Sequence, residues 1–369
     1  MSLIWSGLPA LAAAPGVPVD LQITAGSEHS AFLRGDGTLW IWGQNKDGQL
    51  GDNTEASKAT PSAVVSLERW VQITVGGNHA AALKRDGSLW TWGSNASGQL
   101  GDGTRNNQSK PILIGADFTW RKFALGSAHT AALKHDGTLW GWGNNGWGQL
   151  GDGTKLDRVR PIQIGKDKDW MDIAAGSDST LALKNNGTLW SWGANPYGQL
   201  GDGLTENRTA PARASVNTNW VALAAGGSHS MALRRDGTLW VWGNNDFGQV
   251  GDGTRENRPS PRRIGKETNW VAIAGGENHS LAVKRDGTLW AWGANNAGQL
   301  GLGTTERQFI PTRVGADEDW RSVAGGGFHS VALKKNGAVW AWGRNRAGQT
   351  GGDIGGTKLV PTRVVIGNE

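Results

Sequence analysis

Seven tryptophans recur at a constant spacing of 50 residues, and this period constrains the fold more than any other feature of the sequence. Their positions are Trp40, Trp90, Trp140, Trp190, Trp240, Trp290 and Trp340. Each lies in nearly the same segment, such as ALRRDGTLWVWGNNDFGQVGDGT at residues 232–254, and the period has no insertion or deletion. A period of this length is typical of propellers and solenoids. Because a side chain present in every unit usually serves the fold, function is expected where the units differ.

One unit, residues 70–115, contains four predicted β-strands and no helical periodicity. WVQITVG alternates apolar and polar residues, AALK and LWTWG are joined by an Asp-Gly hairpin turn, and PILIG follows a long Gly-rich loop. Side chains alternate along a strand, so Trp90 and Trp92 are predicted to share one face. Such large flat side chains are interpreted as packing between neighbouring units.

Seven units of this kind predict an all-β fold, a seven-bladed β-propeller of four-stranded antiparallel blades. The link from PILIG to the next tryptophan strand is short, whereas the loop from Trp92 to Pro111 is long. Short links usually join neighbouring strands, so each blade is predicted to combine the Pro strand of one unit with three strands of the next. The C-terminal strand from Pro361 is then predicted to pair with the N-terminal blade and close the ring.

Residues 20–369 are predicted to form this single propeller domain, after an N-terminal extension at residues 1–19. The extension is apolar and rich in small residues, which fits either the remnant of a secretory signal or an unrelated extension. The chain has no cysteine, which excludes disulfides and thiolate metal sites. No stretch is long and apolar enough to span a membrane, so cytoplasmic and secreted locations both stay open. We expect a monomer.

The repeated unit resembles the regulator of chromosome condensation repeat family over residues 20–366, and G-x-N-x-x-G-Q is kept in all seven units. The resemblance implies a seven-bladed propeller closed by pairing of terminal strands, and a binding platform rather than an enzyme. The founding eukaryotic member is a nucleotide-exchange factor for the small GTPase Ran that docks on nucleosomes. Guanine-nucleotide exchange or chromatin binding is therefore the alternative function, although no unit here carries an insertion like the β-wedge used for exchange.

The histidines are interpreted as structural. Six of them share one repeat position: His29, His79, His129, His229, His279 and His329. One histidine per unit is too widely spaced for a single metal ion. The G-D-G-T loops offer too few oxygens for calcium, and no helix follows G-x-N-x-x-G-Q to bind phosphate. The sequence therefore predicts no metal, no cofactor and no enzymatic activity.

Function is predicted on the face that carries the long loops, because one loop position breaks the repeat. It is aromatic in three consecutive units, at Trp147, Tyr197 and Phe247. Further residues predicted on this face are Phe328, Arg158, Arg160, Arg208, Arg255 and Arg258. Grouped aromatics and arginines are typical anchors of protein interfaces. The sequence thus predicts a scaffold that binds a protein partner of unknown identity, with packing of the aromatics on their own loops as the structural alternative.

The opposite face carries a basic residue at one hairpin position of every unit. These residues are Arg34, Lys84, Lys134, Lys184, Arg234, Lys284 and Lys334. A ring of cations could bind phosphates. Adjacent aspartates offset it, and the net charge of +5 is small for a dedicated nucleic-acid binder. Nucleic acid is therefore the weaker candidate partner.

Overall fold

The chain folds into a ring of seven β-sheets around a central channel. The computed structural model describes residues 19–64, 66, 69–116 and 119–367. In these residues 28 strands form seven four-stranded antiparallel sheets. The predicted all-β, seven-bladed propeller is confirmed. Residues 1–18 of the predicted N-terminal extension lie outside the described residues.

Every blade is a meander in which consecutive strands are neighbours. The first strands line the channel: β1 (Gln22–Ala25), β5 (Trp70–Val75), β9 (Trp120–Leu125), β13 (Trp170–Ala175), β17 (Trp220–Ala225), β21 (Trp270–Gly275) and β25 (Trp320–Gly325). The second strands follow: β2 (His29–Leu33), β6 (His79–Lys84), β10 (His129–Lys134), β14 (Ser179–Lys184), β18 (His229–Arg234), β22 (His279–Lys284) and β26 (His329–Lys334).

The two remaining strands of each blade lie further from the channel. The third strands are β3 (Leu39–Gly43), β7 (Leu89–Gly93), β11 (Leu139–Gly143), β15 (Leu189–Gly193), β19 (Leu239–Gly243), β23 (Leu289–Gly293) and β27 (Val339–Arg344). The outer-edge strands are β4 (Lys58–Ala63), β8 (Gln108–Ile114), β12 (Arg158–Ile164), β16 (Arg208–Arg213), β20 (Arg258–Ile264), β24 (Gln308–Arg313) and β28 (Thr357–Val364). Blades are numbered one to seven in chain order, beginning with β1–β4.

The predicted division of the chain into blades is wrong. Each Pro strand pairs with the third strand of its own unit, as β8 does with β7 through Thr91 and Ile112. The short link instead crosses from the outer edge of one blade to the channel strand of the next. The six Cα–Cα steps from Ile114 to Trp120 can span about 20 Å. That reach exceeds three strand spacings of about 4.8 Å, so a short link did not require neighbouring strands.

The predicted closure by strand exchange is also wrong, because β28 pairs with β27 inside blade seven. Every blade already has four strands and leaves no vacant position for a strand from elsewhere. The ring closes through the contacts that join the other blades. Trp42 of blade one donates its indole N–H to the Gln349 carbonyl of blade seven at 3.0 Å. Trp92 makes the same bond to the Gln49 carbonyl, also at 3.0 Å, between blades two and one.

Tryptophans fill the gaps between blades, as predicted. One set is almost fully buried and donates to the preceding blade: Trp42, Trp92, Trp142, Trp192, Trp242, Trp292 and Trp342. The tryptophans of the 50-residue period are half-buried, and Trp90 packs edge-on against Trp70 with ring centroids 6.4 Å apart. Burying one tryptophan contributes at most about 4–6 kcal/mol.

Buried histidines form a second connection between blades. His279 Nε2 lies 2.9 Å from the Ser330 hydroxyl of the next blade, and that hydroxyl donates to the Gln299 carbonyl at 2.8 Å. The same bridge joins His79 to Thr130, His129 to Thr180, His229 to Ser280, and His329 to Ser30. Burial lowers the pKa of these histidines to about 3 or 4, so they are neutral near pH 7. Their structural interpretation is confirmed.

Two gaps lack this bridge. Ala80 occupies the hydroxyl position that follows His29, and His29 Nε2 has no partner among the described residues. Ser179 occupies the histidine position before Ser230, so that gap retains only the Ser230 bond to the Gln199 carbonyl, at 2.8 Å. Two gaps therefore contain incomplete versions of a connection that is found in the other five gaps.

Candidate functional site

The long loops and the G-x-x-H turns share one face of the ring, as predicted. Ser94 N donates to the Asn78 carbonyl at 2.8 Å and joins loop to turn. An asparagine holds each loop from within. In blade three, Asn145 Oδ1 accepts from Leu150 N at 3.0 Å, and Asn145 Nδ2 donates to Asp152 at 2.9 Å. This network gives the loops a defined shape without sheet pairing.

The loop position that breaks the repeat is carried on a fixed backbone. Gln149 Oε1 accepts from the backbone N–H of Trp147 at 2.9 Å. The equivalent bond occurs in the other six blades as well. The bond does not involve the side chain at this position. Blades three to five therefore present their aromatic residues on the same rigid turn that carries Ala297 and Ala347 in blades six and seven.

The predicted aromatics divide into an exposed pair and a stacked pair. Trp147 and Tyr197 are 49% and 37% exposed, on adjacent blades three and four. Phe247 is half-buried, and the Arg307 guanidinium lies 4.8 Å from its ring centroid. Phe328 is also half-buried, with the Arg344 guanidinium 3.8 Å from its ring centroid. Packing on neighbouring residues thus describes the two phenylalanines, while Trp147 and Tyr197 remain open to solvent.

Two exposed leucines lie on the loops that carry Trp147 and Tyr197. Leu156 is 64% exposed in the loop of blade three, and Leu204 is 47% exposed in the loop of blade four. Sequence reasoning missed both. A signal was present, because Leu204 stands where five of the other units have threonine. With Trp147 and Tyr197 they form the apolar residues that we call the blade 3–4 patch.

Most of the predicted arginines serve their own loops. In blades three to five an arginine begins the outer strand and pairs with the aspartate six residues earlier, at 2.6 Å: Arg158 with Asp152, Arg208 with Asp202, and Arg258 with Asp252. Lys58 pairs with Asp52 in the same way in blade one. These cations therefore stabilise the base of the loop.

The other two predicted arginines are exposed, but they are not brought together. Arg160, in the outer strand of blade three, approaches the loop of blade two at Gly103. Arg255 donates from Nε to the Asp246 carbonyl of its own loop at 2.9 Å. They lie in blades three and five, on either side of the blade that carries Tyr197 and Leu204.

Two of the loop aspartates, Asp152 and Asp252, have lowered pKa values. Burial would raise the pKa of Asp152, but hydrogen bonds from Thr154 and Arg158 outweigh it and keep the pKa below its usual value. The same balance, with Thr254 and Arg258, lowers the pKa of Asp252. These two loops therefore keep their ion pairs at neutral pH.

The central channel has a volume of about 2140 Å³ and is lined mainly by the first strands. Two carboxyl groups lie near its mouth on the long-loop face. Glu277 lies 3.4 Å from the Ser177 hydroxyl, and burial raises the pKa of both Glu277 and Asp178. Of these two groups, Glu277 lines the channel.

The basic hairpin residues of the opposite face lie over tryptophan rings. Lys134 Nζ is 3.9 Å from the ring centroid of Trp140 and 4.9 Å from that of Trp120. The same double contact occurs at Lys84, Lys184, Arg234, Lys284 and Lys334. Such contacts hold a cation against an aromatic face. Six of the seven cations of this basic ring are thus part of the blade packing.

Family models match most of the chain. The RCC1-like domain matches residues 7–271, and models of the regulator of chromosome condensation (RCC1) repeat match residues 286–333, 270–299 and 320–349. A comparison with curated protein sequences gives no match. No helix in the described part of the chain is long and apolar enough to cross a membrane.

Several solved structures share the fold over most of their length. Prp20p from Saccharomyces cerevisiae, described with its binding to Gsp1p and histones, is 25% identical with a TM-score of 0.82, over 95% of this chain and 87% of that one. Yeast RCC1 (Prp20) bound to Kap60 is 23% identical with a TM-score of 0.81, over 95% and 85%. Human WBSCR16 is 21% identical with a TM-score of 0.79, over 89% and 94%.

Proposed function

Because the chain belongs to the regulator of chromosome condensation (RCC1) repeat family, we propose that it is a non-enzymatic interaction protein that binds a protein partner on its long-loop face. The observation that supports this most is the blade 3–4 patch, in which Trp147 and Tyr197 are exposed beside loops carrying exposed Leu156 and Leu204. Exposed apolar groups on adjacent loops are typical of a surface that a partner covers. Fixed loop backbones reduce the entropy lost on binding.

The patch residues differ in their proposed roles. Trp147 and Tyr197 are the anchors, because large aromatics displaced from water dominate interface energetics. Arg160 and Arg255 are proposed as flanking polar contacts. Phe247 and Phe328 already stack on arginines and contribute less. The ion-paired arginines of blades three to five act by holding the loops in place.

The proposal is tested by replacing both anchors, Trp147→Ala with Tyr197→Ala. Alanine is compatible with this turn, since Ala297 and Ala347 occupy it naturally. Each anchor is expected to contribute about 2 kcal/mol, or about 30-fold in affinity. Partner capture from an extract of the source organism should therefore be lost in the double variant.

A matched control replaces two equally exposed apolar residues away from the patch. Ile310 and Val360 are 57% and 52% exposed on the outer strands of blades six and seven. Ile310→Ala with Val360→Ala should leave capture unchanged. Equal capture by both double variants and the parent chain would contradict the proposal.

Guanine-nucleotide exchange or chromatin binding is the second candidate, supported by the similarity to Prp20p, which is described with Gsp1p and histones. The chain would then accelerate nucleotide release from Ran, or bind nucleosomal DNA with an affinity that falls as salt rises. If either activity persists in the double variant of Trp147 and Tyr197, it does not depend on the blade 3–4 patch.

A further inference from the structure

One of the seven gaps between blades lacks the residues that fill the other six. In six blades the channel strand begins with a tryptophan that follows the link from the preceding blade: Trp70, Trp120, Trp170, Trp220, Trp270 and Trp320. Asp20 holds this position in blade one. No link between blade seven and blade one is present in the described residues, in which β1 is the first strand and β28 is the last. We call this gap the seam.

A groove opens at the hairpin end of the seam. Its volume is about 520 Å³, within the range of known binding sites. Leu21 and Phe32 of blade one contribute apolar surface, and Arg34, Asn336 and Arg363 contribute polar groups.

The groove lies where, at other gaps, the link between two blades packs against a hairpin. In blade three a methyl group added to the hairpin residue Gly137 would clash with the Lys168 carbonyl of the link. At the seam the equivalent Gly337 would meet only the Leu21 side chain, at 3.4 Å. The Gly137 carbonyl also accepts from Trp170 N, a bond that Asp20 does not reproduce at Gly337 in the described residues. The seam therefore keeps the hairpin of the preceding blade but lacks, in the described residues, the link that packs against this hairpin elsewhere.

The contact of the hairpin cation with two tryptophan rings is absent at the seam in the described residues. Lys284 lies 4.0 Å from the Trp290 ring centroid and 4.7 Å from that of Trp270. Arg34, at the equivalent position, lies over no tryptophan ring in the described part of the chain. Trp40, the nearby tryptophan of the 50-residue period, has a buried Nε1 without a partner among the described residues. The groove is lined by Phe32 and Trp340, but it lacks the tryptophan that begins the channel strand in the other six blades.

The segment that precedes the described chain begins beside this groove. Val19 N donates to the Gly35 carbonyl at 2.9 Å, and Gly35 is one of the groove residues. Residues 1–18, MSLIWSGLPALAAAPGVP, have no charged side chain, and Trp5 is the only aromatic residue in them. Leaving such a segment in water is unfavourable. The chain from Trp5 to Val19 is long enough to fold back, since extended residues span about 3.3–3.6 Å each.

We propose that residues 1–18 dock into the seam groove and that Trp5 supplies the aromatic ring that Arg34 lacks. The segment would then cover the one blade junction that has no covalent link. This site lies on the hairpin face, away from the blade 3–4 patch. Docking of residues 1–18 and binding of a partner are therefore tested independently.

An engineered cysteine pair tests the docking directly, because the chain has no cysteine of its own. Ser6→Cys is combined with Asn336→Cys, an exposed residue of the groove. The matched control combines Ser6→Cys with Asn186→Cys, an exposed asparagine at the equivalent hairpin position of blade four. Under mild oxidation the seam pair should form a disulfide within one molecule at least tenfold faster than the control pair. Equal rates, or disulfides formed only between two molecules, would overturn the proposal.

The role of Trp5 is tested in the same cysteine pair. Trp5→Ala should slow disulfide formation toward the control rate, whereas Trp5→Phe should retain most of it because an aromatic face is kept. Arg34→Ala should slow it as well. Unchanged rates in Trp5→Ala would overturn the assignment of Trp5, and a melting temperature equal to that of the parent chain in this variant would do the same.

Discussion

Replacing Ala80 by serine is expected to stabilise the propeller by about 1 kcal/mol. In five other gaps a hydroxyl at this position bridges a buried histidine and a glutamine carbonyl. His29 Nε2 lacks such a partner among the described residues, although it is fully buried. A serine hydroxyl would reach His29 and the Gln49 carbonyl. Space is available, because the other gaps hold a serine or threonine there, and a net gain of about 0.5–1.5 kcal/mol is typical for a hydrogen bond.

Two alanine variants supply the matched comparison. Ser280→Ala removes a hydroxyl that lies 2.9 Å from His229 and donates to the Gln249 carbonyl at 2.7 Å. It leaves a buried histidine unpartnered, so a loss of about 2–3 kcal/mol is expected. Ser230→Ala removes only a bond to a carbonyl, because Ser179 replaces the histidine, and should cost about 1 kcal/mol.

The assay is urea denaturation of the three variants and the parent chain, compared at equal m-values. The order of stability should be Ala80→Ser, parent, Ser230→Ala, Ser280→Ala. A neutral or destabilising effect of Ala80→Ser would refute the reasoning, as would equal losses for Ser230→Ala and Ser280→Ala.

Three further predictions concern acid stability, ring closure and the tolerance of the patch. Burial lowers the pKa of His29 to about 4 and that of His279 to about 3, so as pH falls below 6.5 the unfolded chain binds protons that the folded chain excludes. Urea denaturation should show stability falling from pH 6.5 toward pH 4, by about 2 kcal/mol per buried histidine at pH 5, and constant stability there would contradict it. Trp42→Phe should lower the melting temperature as much as Trp92→Phe, because ring closure uses the same bond as any other gap; a much larger effect at Trp42 would indicate a special closure. Trp147→Ala with Tyr197→Ala should change the free energy of unfolding by less than about 0.5 kcal/mol per residue, since both side chains are exposed, and a larger loss would mean that they pack.

The sequence predicted the strands and the sevenfold propeller because its period, hairpin turns and alternation are local properties. The Asp86-Gly87 turn and the tryptophan strands appear in the structure at the predicted places. Strand pairing across the long loop was not predictable from loop length. That loop is held by an asparagine that binds several backbone groups, as Asn95 does, so it joins neighbours despite its 14 residues between β7 and β8. The prediction of ring closure was wrong for the same reason, because it depended on which strand belongs to which blade.

The candidate site was only partly predictable for a related reason. Breaks in the repeat located Trp147 and Tyr197, and both are exposed. The repeat could not show that Phe247 lies under Arg307, because this contact depends on how far a side chain extends from the neighbouring loop. It also could not show that Arg158 pairs with Asp152, because this ion pair depends on the folded shape of their own loop. Charge at a loop position thus did not distinguish a side chain paired within its own loop from one open to solvent.

The most direct test of the proposed partner surface is hydrogen exchange of the propeller with and without its captured partner. The loops at residues 144–157 and 194–207, which carry the blade 3–4 patch, should exchange more slowly in the complex. The equivalent loops at residues 294–307 and 344–357 should be unchanged. Protection confined to the hairpin face, or spread equally over all seven loops, would contradict the account.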